Sequence, residues 1–303
     1  MLPIGSLSQS FAEGFIVAMV DGKSSVKKAP LIVTQSAVRT VESHSMSNET
    51  EVSIVIPCLN EAETVGICIE KAFQWIRDQG IDGEVILADN GSTDGSGTIA
   101  QSKGVRVIAI PKQGYGNALM GGIGEARGRF VIIGDADDSY DFSTLEGFLQ
   151  KLRAGNELVQ GCRLPKGGGR IMSKAMPFLH RSFGNPMFSL LARVWFGAPI
   201  NDVNCGLRGF SKALYHRLDM RCTGMEFAVE MIIKASLLKT NIVEIPITFH
   251  KDGRRTRRPH LRTFRDGWRT LLVFLMFSPR WLFLIPGIVV MAIRLVAFGL
   301  LLR

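Results

Sequence analysis

From Val52 the chain alternates short apolar runs with longer amphipathic ones. "VSIVI" predicts a buried strand, and "NEAETVGICIEKAFQWI" after it places Val65, Ile69, Ala72, Phe73 and Ile76 on one face at helical spacing. Asn60 with Glu63 three residues later is expected to cap that helix. "EVILA" then predicts a strand, "TDGSGTIAQSK" a short helix, "VRVIAI" a strand, "NALMGGIGEAR" a helix and "RFVIIG" a strand. Ser143 and Glu146 repeat the capping pattern before the next helix. Such alternation implies an α/β fold with a mainly parallel sheet covered by helices on both faces, and sheets of that kind bind ligands at the carboxyl ends of their strands.

The pattern divides the chain. Residues 1–48 are rich in Ser and small polar residues and are expected to be a disordered tail. Their one apolar run, "FIVAMV", is too short for a signal-peptide core and has no basic residues before it. Met46 lies just ahead of the first strand, so the preceding segment is expected to be an extended or misassigned start. A catalytic domain is expected over 49–250, a basic amphipathic segment over 251–280 and one transmembrane helix over 281–303. Trp281 to Leu302 is long enough to cross a bilayer, which takes roughly 20 residues. Arg294 in its middle is costly against lipid and calls for a helical partner, a water defect or an in-plane hairpin. Between Leu261 and Phe277, the residues Leu261, Phe264, Trp268, Leu271 and Leu275 form one helical stripe and Arg262, Arg265 and Arg269 another. That pattern seats a helix on a membrane surface or packs it on the domain.

Composition refines this picture in three places. The 46% hydrophobic content excludes wholesale disorder. Five scattered cysteines, odd in number and without a C-x-x-C pair, argue against a disulfide framework or zinc site and for reduced thiols facing cytosol. The net charge of +9 would suggest nucleic acid, but eight basic residues against two aspartates fall between Lys251 and Arg269, directly before the apolar run. That placement marks a cytoplasmic membrane boundary, so no nucleic-acid partner is expected.

Three loops converge at the expected ligand end: "PCLNE", "ADNGSTDGS" and "GDADDSYD". The last holds Asp135, Asp137, Asp138 and Asp141 straight after a buried strand. Carboxylates so close repel one another, so a divalent metal, an arginine or water is expected among them. The D-x-D spacing lets Asp135 and Asp137 turn toward one site, and hard oxygen ligands suit magnesium or manganese. Asp138 and Asp141 read either as solvated loop charges or as contacts to a sugar hydroxyl. "GYGNALMGGIG" fits the dinucleotide fingerprint poorly, because its sixth position is Leu119 and no acidic residue ends the next strand. Gly114 and Gly116 instead permit a close backbone approach.

Taken in order, "VSIVIPCLNEAETV", "ADNGSTDGS", "PKQGYGNALMGGIGEARG", "GDADDSYD", "QGCRLPKGGG" and "DVNCGLRGFSK" resemble family 2 glycosyltransferases of the GT-A (Rossmann-like) fold, and within them the dolichyl-phosphate mannose synthase group. The resemblance spans about residues 50 to 280. It implies metal-dependent, inverting transfer of a sugar from a UDP- or GDP-linked donor to the phosphate of a polyprenyl lipid at the cytoplasmic face. Carried over, Pro57, Leu59, Glu61, Asp89 and Lys112 match nucleoside-pocket positions. Asn90 stands where a second Asp is usual, which leaves the base preference open. Asp135, Asp137 and Ser139 match the metal run, with Asp135 also beside the nucleotide, Arg163 matches a phosphate-binding arginine, and Asp137 and Arg163 are the expected catalytic residues. Mg2+ or Mn2+ is the implied cofactor, and a homo-oligomer or a membrane subunit would give Arg294 a partner.

A lipid phosphate is already an anion near neutral pH and needs a basic cradle more than a general base. "CRLPKGGGR" and "DGRRTRR" and their surroundings supply Arg163, Arg170, Lys174, Arg181, Arg254 and Arg255, which equally suit anionic headgroups. Glu226 and Glu230, at i and i+4, read as sugar contacts or as anchors for core loops. A family 2 enzyme with a soluble acceptor would share the nucleotide and metal motifs without needing the basic surface helix. A processive synthase is disfavoured by the absence of Q-x-x-R-W.

Overall fold

The computed structural model describes residues 50–256 and 263–301. The expected tail, Arg257, Arg258, Leu261 and Arg262 lie outside the described residues. Seven strands form a mixed sheet in the order β3-β2-β1-β4-β7-β5-β8. They are β1 (Val52–Cys58), β2 (Gly83–Asp89), β3 (Arg106–Ala109), β4 (Phe130–Ile133), β5 (Leu158–Cys162), β7 (Arg208–Ser211) and β8 (Ile242–Pro246). Only β7 runs antiparallel to its neighbours β4 and β5. A separate pair, β6 (Arg170–Ile171) and β9 (Thr248–Phe249), lies outside the main sheet.

Side-chain parity explains the two cores. Successive residues of a strand face opposite sides, so Val52, Ile54 and Ile56 join one cluster and Val55 the other. Helices α1 (Val65–Gln79), α2 (Ser96–Ser102) and α4 (Glu146–Arg153) cover the first face through residues such as Ile69, Ala100 and Phe148. Helices α3 (Tyr115–Glu125), α5 (Asn185–Phe196), α6 (Lys212–Leu218), α7 (Phe227–Leu237) and α8 (Thr263–Met276) cover the second, through Leu119, Ala192, Leu214, Met231 and Phe274. Burial on both faces is why β1 and β4 read as continuous apolar runs. All five cysteines are free and four are buried.

Two expected caps are built differently. Asn60 does not cap α1, which starts at Val65 after Thr64. It takes a left-handed backbone with φ 60°, and its Oδ1 accepts from the Thr93 amide at 2.7 Å, tying two ligand-end loops together. Before α4, Asp141 rather than Ser143 is the acceptor: it takes the Ser143 amide and caps a short turn over Phe142–Thr144.

The amphipathic α8 packs on the domain with only part of its apolar stripe, Leu271 contacting the core. Asp266, Thr270, Val273 and Phe274 are buried, whereas Phe264 and Trp268 are 86% and 60% exposed, so those two aromatics are left facing outward. Beyond it Arg280–Leu301, 22 residues including α9 (Ile285–Leu301), is long and apolar enough to cross a membrane and none of it is buried against the protein. Arg294 is exposed on that helix.

Candidate active site

The loops after β1, β2 and β4 meet at the carboxyl end of the sheet, where parallel pairing aligns Cys58 with Asp89 and Val55 with Ile133. The β4 loop carries the inner aspartates. Asp137 Oδ1 accepts from the Ser139 amide at 3.1 Å and the Ser139 hydroxyl at 2.5 Å, and Asp135 Oδ1 accepts from the Tyr115 hydroxyl at 2.9 Å. Burial and the neighbouring Asp137 charge push Asp135 up to about 7. Asp137 is raised as well, chiefly by burial, against the Ser139 hydrogen bonds and the Arg254 charge that favour its anion.

An arginine stands among these carboxylates. Arg254 follows β9, and the strap is held down where His250 N donates to Ser139 O and Gly253 N donates to Asp137 O, both at 2.9 Å. The guanidinium reaches Glu61 Oε1 at 2.8 Å and Asp137 Oδ2 at 3.2 Å and also bonds Asp252, with its side chain only 7% exposed. Among the described residues Arg254 thus bonds three carboxylates, with Asp135 alongside, and burial is the chief reason both aspartates are raised. An all-oxygen, net-anionic pair at a strand end fits a hard divalent cation. Among the described residues no group of three metal-ligating side chains is found; Mg2+ is commonly bound by one or two carboxylates, with substrate phosphates and water completing its shell.

The outer aspartates are neutralised separately. Lys71 of α1 bonds Asp138 Oδ1 at 2.8 Å and lies 3.7 Å from Asp141. The crowding of four aspartates therefore resolves into two pairs with different partners.

The other expected site residues fall into three groups. At the nucleoside end, Pro57 is buried, Leu59 and Asp89 are half-buried and Lys112 is exposed. Asn90 is committed to the backbone: its amide donates to Ile110 O at 3.1 Å and Lys112 O at 2.8 Å, and its Oδ1 accepts from Gly114 N at 2.7 Å. A carboxylate could accept but not donate, so the asparagine is explained by the loop it holds. Arg163 is buried against Asp202, with Nε at 2.7 Å and Nη2 at 2.9 Å, its ring neighbour being Phe249. Burial opposes its charge, but the Asp202 carboxylate outweighs that and holds the guanidinium firmly protonated. Arg170, Lys174, Arg181 and Arg255 are exposed. Arg170 lies on β6, whose partner β9 leads into the strap, so it runs beside the β4 loop. Arg254 sits with the metal-candidate carboxylates rather than with this exposed set.

Glu230 anchors a loop, accepting from the Arg221 amide at 3.0 Å and the Cys222 amide at 2.7 Å, while Glu226 pairs with Arg269 of α8. Tyr115, Asp202 and Lys71 escaped notice in the sequence. For Tyr115 the available signal was its place between two glycines directly after the third strand's loop.

The fold and this carboxylate-lined strand end agree with the family that the sequence matches, a family of glycosyltransferases. Residues 53–218 match the model of glycosyl transferase family 2, and the chain belongs to that family. It is 39% identical over 236 residues to the low-salt glycan biosynthesis hexosyltransferase Agl6 of Haloferax volcanii, covering 78% of this chain and 55% of that protein. The chain thus spans little more than half the length of that relative. To the dolichyl-phosphate hexose transferase of the same organism it is 30% identical over 210 residues, covering 68% of this chain and 86% of that protein. Among solved structures, glucosyl-3-phosphoglycerate synthase from Mycobacterium tuberculosis in complex with Mn2+, UDP and phosphoglyceric acid shares the fold, with a TM-score of 0.58 at 18% identity over 75% of this chain and 78% of that one.

Proposed function

We propose that the chain transfers a hexose from a UDP- or GDP-linked sugar to the phosphate of a polyprenyl lipid, undecaprenyl or dolichyl phosphate. Transfer is metal-dependent and inverting, at the cytoplasmic face of a membrane. The observation that carries this reading is continuity: the strap that seats Arg254 on Asp137 leads within a few residues to α8, with its exposed Phe264 and Trp268, and then to the apolar helix Arg280–Leu301. The similarity to a dolichyl-phosphate hexose transferase supports the same acceptor class.

In this reading Asp135 and Asp137 hold Mg2+ or Mn2+, and Ser139 orients Asp137 through its hydroxyl. The bound ion supplies Lewis-acid neutralisation of the leaving diphosphate. Arg254 adds a fixed positive charge beside the same oxygens, and Pro57, Leu59, Asp89 and Lys112 line the nucleoside end. Exposed Arg170, Lys174, Arg181 and Arg255 form the cradle for the lipid phosphate. Arg163, through Asp202, steadies the wall behind it. The attacking phosphate oxygen is anionic already, so positioning and charge do the catalytic work.

The test is transfer of radiolabelled sugar from UDP- and GDP-sugars into organic-extractable polyprenyl phosphate, with manganese or chelator. Asp137→Ala is expected to lower transfer by about 100-fold or more, and chelator to abolish it. Folded, nucleotide-binding protein that labels saccharide acceptors but no lipid would replace the lipid phosphate by a soluble acceptor.

A further inference from the structure

We propose that Tyr115 is the positioning residue for Asp135, its phenol fixing the plane in which that carboxylate meets the metal ion. This rests on the metal reading above. Asp137 is oriented by Ser139 and Arg254; the side-chain donor seen on Asp135 is the Tyr115 hydroxyl, at 2.9 Å. A Cβ on Gly206 would stand 2.9 Å from the other oxygen, Oδ2, so the glycine leaves that oxygen open. The Tyr115 hydrogen bond is therefore the contact that fixes how the carboxylate is turned.

Tyr115 itself is clamped. It opens α3 between two glycines that cannot be replaced without collision. A Cβ at Gly114, where φ is +138°, would meet Thr223 O at 2.3 Å, and one at Gly116 would meet Cys222 O at 2.2 Å. Asn117 N donates to Thr223 O at 3.2 Å, and Gly114 N donates to Asn90 on the opposite side. The 221–226 loop that presses on these glycines is pinned in turn by buried Glu230 and by Glu226 on Arg269. A donor held from two sides keeps its hydroxyl where Asp135 needs it. Groups that orient a ligating carboxylate typically contribute 10–100-fold in metal affinity.

The experiment titrates Mn2+ alone into the full-length protein in detergent, followed by electron paramagnetic resonance, for wild type, Tyr115→Phe, Tyr115→His and Asp137→Ala. Tyr115→Phe is expected to weaken Mn2+ by about tenfold or more with melting close to wild type. The Mn2+ concentration for half-maximal transfer should rise by the same factor and kcat at saturating Mn2+ should be largely retained. Tyr115→His, which restores a ring donor, is expected to lose less. A phenylalanine variant within twofold of wild type, or equal losses in Phe and His, assigns Tyr115 to packing and overturns the proposal. Wild type that fails to bind Mn2+ overturns both this and the metal reading. Intact Mn2+ binding without lipid product removes only the lipid acceptor.

Discussion

Two charged loops close neighbouring ends of the same sheet, one after β4 and one after β5, and they are finished in opposite ways. Arg163, after β5, is matched by a single dedicated carboxylate, Asp202, which has no exposed surface. Asp137, after β4, shares Arg254 with Glu61 and Asp252, Asp135 beside it accepts from the Tyr115 hydroxyl, and burial pushes both toward protonation. A buried charge with an internal partner is held in place by it: Arg163 commits Nε and Nη2 to Asp202. Two carboxylates raised by burial regain a favourable charged state when a cation arrives beside them. The contrast separates Arg163 from Arg254, both of which were expected at the acceptor phosphate.

The largest test of that contrast removes Asp202. Asp202→Ala leaves the Arg163 guanidinium buried and unpaired, which is expected to cost about 3–5 kcal/mol, read by urea unfolding of the metal-free protein in detergent. Asp137→Ala removes repulsion instead and should leave metal-free stability unchanged or slightly raised. If Asp202→Ala costs less than about 1 kcal/mol, the β5 loop is not the closed structure described here.

A smaller effect follows from the raised Asp135. Its folded value, about 7, lies above the ordinary carboxylate value of about 4, so the folded state keeps a proton that the unfolded chain releases. Stability from this group is therefore full below roughly pH 4 and declines as pH rises through about 7, by at most about 1.4 kcal/mol per unit. Melting temperatures of the metal-free protein across this window should fall with pH. Asp135→Asn should flatten the fall, and Mn2+ should suppress it. A metal-free protein that instead gains stability across the window would mean that Asp135 is already balanced by Arg254 and Tyr115.

Much of this architecture was legible because it is written in local pattern. Burial on both faces turns β1 and β4 into continuous apolar runs, and helical spacing exposes α1 from Val65 to Ile76. The reversal of β7 was not legible, because a four-residue strand carries no mark of its direction. At the site, the aspartates announce themselves by crowding, but their partners come from elsewhere. Arg254 meets Glu61 across 193 positions and Arg163 meets Asp202 across 39. Two arginines in basic strings look alike until those distances close, and only then does one prove to be walled in and the other to stand over Asp137. The Asn60 cap was misread for a related reason: its side chain bonds a loop from another strand instead of its own, as that of Asn90 also does.

The finest division in the β4 loop is between its inner and outer aspartates, and Lys71 tests it. Its ammonium bonds Asp138 and approaches Asp141, with the three side chains between 23% and 34% exposed, so solvent screens the pair. Asp138 holds a left-handed backbone at φ 59°, a conformation that is mildly unfavourable for a side chain with a Cβ, and the lysine helps retain it. Lys71→Ala is accordingly expected to cost about 0.5–1 kcal/mol, less in high salt, and to leave the Mn2+ requirement for transfer where it was. A variant that keeps its stability but needs several-fold more Mn2+ would join the outer aspartates to the metal-binding pair. The loop would then be one four-carboxylate unit, with Lys71 and Arg254 as equivalent counterions on either side of it.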